Sequence, residues 1–202
     1  MRGLQLPRSR STDRPPRPCS YLVSLLAALA LLVVPAVASA ANGFTEQVAS
    51  ARWSTPFQCP DGSMAADGRL IVETDNFIEA GTTPYPNPPL MVGFVGLCPD
   101  GTFSWGFVQP ASTQFDPDLK NVSVSGTFAD VRDNRGGLHT VSVEGSWTGT
   151  GPIMTTVNGP GSKSKKRSAT ATATIVFDGS TLVNGAANFP FPEPFIRVDT
   201  EK

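Results

Sequence analysis

The carboxylates Glu73, Asp75, Asp130, Asp133 and Glu144, the single histidine His139 and the cysteines Cys59 and Cys98 are the residues from which chemistry could be built in this 202-residue chain. Paired acids point to glycoside hydrolysis, in which two carboxyl groups face each other across about 5 to 9.5 Å. Glu73 and Glu144 are the pair that an extracellular hydrolase would use, but both fall in strand-like segments whose polar faces ordinarily carry solvated acids. His139 precedes Ser142, yet no Gly-x-Ser-x-Gly elbow aims a serine, so a serine–histidine–acid hydrolase has little support. Asp116-Pro117-Asp118 and the pair Asp130 and Asp133 offer oxygens to calcium without the spacing of a twelve-residue calcium loop. A dinucleotide fingerprint, a phosphate loop and a Cys-x-x-Cys pair are all missing, so the sequence assigns no catalytic residue, cofactor or metal ligand.

The cysteines carry a clearer message. Cys-Pro-Asp-Gly occurs at Cys59 to Gly62 and again at Cys98 to Gly101. Proline fixes the second position of a tight turn and glycine relieves the fourth, so each cysteine is expected to lead into a turn. In an exported chain Cys59 and Cys98 pair in one way only, closing a loop of about 40 residues worth about 4 kcal/mol in chain entropy.

Export is read from the N-terminus. Arg2, Arg8, Arg10, Arg14 and Arg17 precede the apolar run Tyr21 to Ala38, which ends in Ser39, Ala40 and Ala41. A basic segment, an apolar segment and small residues in this order form a secretory signal, with cleavage expected after Ala40. The alternative is an uncleaved membrane anchor, since the apolar run approaches the roughly 20 residues that span a bilayer. Residues 41–202 then form one secreted domain carrying sixteen acids against eleven lysines and arginines. That acidic balance argues against nucleic acid as a partner.

Against it stands one basic run, Lys163, Lys165, Lys166 and Arg167, after the glycine-rich Asn158 to Ser162. It is expected to be a mobile exposed loop that either solubilises the domain or meets an envelope polymer or another anionic surface.

The elements that must position these residues read as strands. Phe103, Trp105 and Phe107 alternate; so do Val122 and Val124, Val141 and Val143, and Ala169 through Phe177. Period two places each set on one face. Asp133 to Gly137 joins two such runs as a long antiparallel hairpin, and Gly126 and Gly145 leave gaps on its apolar face for a bulge or a large ring. Thr45 to Trp53 is expected to form a short helix or an irregular arm. The fold class is all-β: a single antiparallel β-sandwich or a small up-and-down β-barrel. The leader and strand composition resemble those of small exported bacterial β proteins, a likeness that carries no site residue. The functional expectation is a noncatalytic secreted or envelope protein that binds or builds. Its alternative is a carrier of a small apolar ligand, held in a barrel interior by Trp105 and Trp147.

Overall fold

The computed structural model describes residues 43–202. The expected signal segment, its alternative as an anchor, and Cys19 lie outside the described residues. Ten strands follow in order: β1 (Phe44–Gln58), β2 (Met64–Glu79), β3 (Pro89–Cys98), β4 (Gly101–Pro110), β5 (Ser112–Phe115), β6 (Asn121–Arg132), β7 (Leu138–Gly159), β8 (Ser162–Phe177), β9 (Ser180–Ala186) and β10 (Phe195–Glu201). All pair antiparallel in the order β4-β3-β2-β1-β10-β8-β7-β6-β5, with β9 also beside β8.

The sheet is open, which corrects the barrel alternative. Closure needs a continuous ladder between the two end strands, and here the ladder stops at β4 on one side and β5 on the other. A single isolated bridge, Trp105 to Asp133, spans the gap. The reason lies at Pro110 and Ala111. β4 and β5 are one extended run interrupted by a single residue; Pro110 has no N–H to donate, and the chain switches there from pairing with β3 to pairing with β6. The sheet's two ends are therefore joined by covalent chain.

Curling brings the apolar faces of both halves into one core. Phe107 meets Phe128 at 4.5 Å between ring centroids, and Phe177 stacks on Trp105 at 5.2 Å. Trp53, Phe94 and Trp147 are almost fully buried in the same cluster. The expected period-two stripes supply it: Phe103 and Trp105 from β4, Val122 and Val124 from β6, Val141, Val143 and Trp147 from β7, and Ala169, Ala171, Ala173 and Ile175 from β8. The small β8 alanines lie beside bulk, as where Ala171 pairs with Trp147. A Cβ at Gly126 would run into the Phe128 ring, so this glycine makes room for an aromatic of its own strand.

Two local expectations are overturned. Thr45 to Trp53 is no helix or arm but most of β1, flanked by β2 and β10; Ala49, Ala51 and Trp53 alternate into the core. Lys163, Lys165, Lys166 and Arg167 do not form a loop either. They lie inside β8: all four pair with β10 on one side, and Lys163, Lys165 and Lys166 also pair with β7 on the other, Arg167 falling at a register shift of that ladder. Two ladders outweigh what a run of charge suggests locally, because a strand leaves alternate side chains free to reach solvent.

The Cys59–Cys98 disulfide forms, with Cα atoms 5.9 Å apart. It ties the β1–β2 turn to the β3–β4 turn. In the first turn Gly62 N–H donates to Cys59 O at 2.9 Å, and Asp61 accepts from the Ser63 N–H and hydroxyl at 3.0 and 2.6 Å.

Candidate functional site

The outer face of β1 to β4 carries a groove of about 760 Å³. Register builds it row by row. Trp53, Leu70, Phe94 and Trp105 form one cross-strand row, all buried; the adjacent row is Arg52, Ile71, Gly93 and Gly106, which alternation turns to the other side. Two neighbouring glycines leave bare backbone as a floor. Ile71 and Val95 give it apolar walls, and Phe189 closes one end.

Phe189 is held there by its neighbour. Asn188 accepts from Ser54 N–H at 2.6 Å and donates to Ser54 O at 2.9 Å, acting as a one-residue extension of the sheet. The Arg69 guanidinium lies 5.4 Å over the Phe189 ring and pairs with Asp67 at 3.1 Å. At the far end β6 supplies its last residue, Arg132, and the β6–β7 turn supplies Asn134. Asn134 is stitched to β4: its N–H donates to Ser104 O, its side chain accepts from Ser104 N–H and donates to Thr102 O, all at 2.9 to 3.0 Å.

The groove's charge is unbalanced. Among the described residues neither Arg52 nor Arg132 forms an ion pair with a carboxylate, and the Arg52 Nε is buried without a hydrogen-bond partner. Guanidinium groups present planar forks of donors suited to carboxylate, sulfonate or phosphate. Asp133, which also borders the groove, directs its carboxylate elsewhere.

Asp133 and Asp178 clamp His139. His139 Nε2 lies 2.9 Å from Asp133 Oδ2 and Nδ1 lies 2.7 Å from Asp178 Oδ2. Ionised carboxylates only accept, so both contacts are satisfied by the doubly protonated ring. Asp133 also accepts from the N–H groups of Arg135 and Gly137, and Asp178 from that of Thr140. Ring burial opposes protonation of His139, but the two carboxylates outweigh it and raise its pKa above the usual 6.5. With both ring nitrogens facing carboxylates, the protonated His139 has no lone pair for base catalysis, and the Ser142 hydroxyl bonds to Thr127 instead, at 3.0 Å.

The acids proposed for hydrolysis do not converge. Glu73 is on β2 and Glu144 on β7, with β1, β10 and β8 between them; four strand spacings of about 4.8 Å put them about 19 Å apart along the sheet. Glu144 lies in a second outer groove of about 520 Å³ among hydroxyls such as Ser125, Ser146 and Thr174. Glu73 belongs to an acidic surface with Asp75 and Glu46, where burial first, and then repulsion from Glu46 and Glu73, push the Asp75 carboxyl up to about 6. Of the aspartates considered for calcium, Asp116 accepts from Asp118 N–H at 2.9 Å and Asp118 pairs with Lys120 at 3.3 Å. Among the described residues no group of three or more His, Cys, Asp or Glu side chains is placed to hold a metal.

Trp105 and Trp147 are 4% and 1% exposed. Both are core residues, although Trp105 also borders the outer groove. With the sheet open, the barrel interior that the carrier reading required is not there. Sequence reasoning passed over Arg52, Arg69, Arg132 and Phe189, which come from four separate segments. The available signal was a glycine inside each of two strands, Gly93 and Gly106, and only the register sets them side by side.

No protein-family model, no curated protein and no solved structure matches the chain. Among the described residues no helix is long and apolar enough to cross a membrane.

Proposed function

We propose that the domain is a noncatalytic binding module, secreted or held in the cell envelope, that captures an organic anion with an apolar body in the groove over Gly93 and Gly106. The curled sheet serves as a sandwich-like platform whose core is filled and whose outer surface does the work. One observation carries this reading: two guanidinium groups that have no carboxylate partner among the described residues rim an apolar groove floored by glycine backbone. An anionic head would pair with Arg52 or Arg132 while the body lies on Ile71, Val95 and Phe189, excluding water as ligand sites generally do. The all-β framework, and a histidine whose ring is fully engaged, favour binding over turnover.

Fluorescence titration with anilinonaphthalene sulfonate, an apolar anion, tests the reading. Saturable binding is expected, and Arg52→Gln with Arg132→Gln should weaken it by about tenfold or more, the scale of a lost charge-assisted hydrogen bond. Gly93→Val should abolish it by filling the floor, because the nearest obstacle to a Cβ there is the movable Ile71 side chain. Binding that neither variant alters, with thermal unfolding preserved, would defeat the proposal.

A further inference from the structure

Beyond the core, β7, β8, β10, β1 and β2 continue side by side as a ribbon. On β8, Lys163, Lys165 and Arg167 share the parity of Ala169 and Ala171, so they extend the core-side face past the end of the core. Lys163 pairs with Val157 on β7 and Thr200 on β10; Lys165 pairs with Thr155 and Val198. Lys166 has the opposite parity and places its ammonium 4.4 Å over the Phe195 ring.

Charge is sorted between the two faces. The carboxylates that β1, β2 and β10 contribute at this end, Glu46, Asp75, Glu79, Asp199 and Glu201, all take the register positions of the face opposite Lys163 and Lys165. Arg197 sits among them, 2.7 Å from Asp199 and 3.6 Å from Glu46. The paired stretches of β7 and β8 in the ribbon contain no acid at all. The core-side face thus holds exposed lysines without ion-pair partners among the described residues, next to a valine that is 72% exposed.

We infer that this face is a docking surface for an anionic lipid bilayer. Unpaired lysines meet the negative surface potential, each contributing about a fivefold gain in partition. Val157 at the exposed end enters the headgroup boundary, as apolar side chains of peripheral proteins do. The acidic back face is repelled, so docking has one orientation. A soluble polyanion would satisfy the lysines but has no use for Val157, and that separates the two occupants.

Co-sedimentation with vesicles tests this, using the full-length chain and its variants in parallel so that the N-terminal apolar segment contributes equally to every sample. Partition should rise when phosphatidylglycerol is added to phosphatidylcholine vesicles. Lys163→Gln with Lys165→Gln should lower it about 25-fold on the anionic vesicles and leave it unchanged on neutral ones. Val157→Ser should lower, relative to the parent, the binding that persists at high salt, where screening has suppressed the charge contribution. Equal partition onto both vesicle types, or a double variant that binds like the parent, overturns the inference. So does Lys166→Gln costing as much as Lys163→Gln, which would mean the faces are not distinguished. Competition by polyphosphate together with an inert Val157→Ser would assign the surface to a polymer and overturn the lipid reading.

Discussion

His139 shows how a residue typical of catalysis becomes structural once its neighbours are known. Its ring joins the β6–β7 turn, through Asp133, to the residue after β8, Asp178, and packs on Phe177 at 4.5 Å between centroids. The stability it contributes follows from linkage. Its folded pKa is raised, so the imidazolium contribution is complete below about pH 6.5 and is lost as pH climbs through the folded value. Asp133 is lowered, chiefly by its hydrogen bond from His139; Asp178 is lowered because its bonds from His139 and Thr140 outweigh burial. Their contribution is present above about pH 4 and is lost as pH falls further. His139→Gln should therefore cost about 1 to 2 kcal/mol near pH 5, discounted for solvent around Asp178, and less near pH 9. Urea unfolding at the two pH values checks this; a penalty that does not change with pH contradicts the clamp. The residues next to His139 in sequence do not reveal this role, because its partners lie 6 and 39 positions away, one of them just past the end of β8.

Among the elements, the long hairpin of β6 and β7 was legible because its determinants are local: alternating valines on both arms and Asp133 to Gly137 between them. The structure adds a register shift between Phe128 and Val131, with Asp130 at a positive φ of 59°, which the apolar pattern did not show. The basic run misled because charge is a local property and strand pairing is not. The disulfide was legible for a different reason, that only one pairing was available. It links two turns separated by 39 positions in sequence, so the loop-entropy relation makes Cys59→Ser with Cys98→Ser cost about 4 kcal/mol, less any residual structure in the unfolded chain. Denaturant midpoints of the parent and the double variant measure this. A loss below about 1 kcal/mol would show that the crosslink constrains little.

For the whole molecule, the decisive fact is that one core serves both halves of an open sheet. Phe57 and Trp105 from the N-terminal strands touch Phe177 of β8, and Phe107 touches Phe128 of β6. Trp147→Ala, at a site 1% exposed, should cost about 3 to 5 kcal/mol and still leave one cooperative transition. Fluorescence and far-ultraviolet circular dichroism should shift together. Two separated transitions would mean that the halves fold as independent units. The sequence by itself determined the all-β class, which side chains of most strands face inward, the two turns and the sulfur pairing, because alternation and turn chemistry act over a few residues. Strand order, the open edge at Pro110, the arginine-rimmed groove and the sorting of charge on the ribbon were decided only by tertiary structure. Each depends on which distant strands become neighbours and in what register, and a period of two says which face a residue takes without saying who stands beside it.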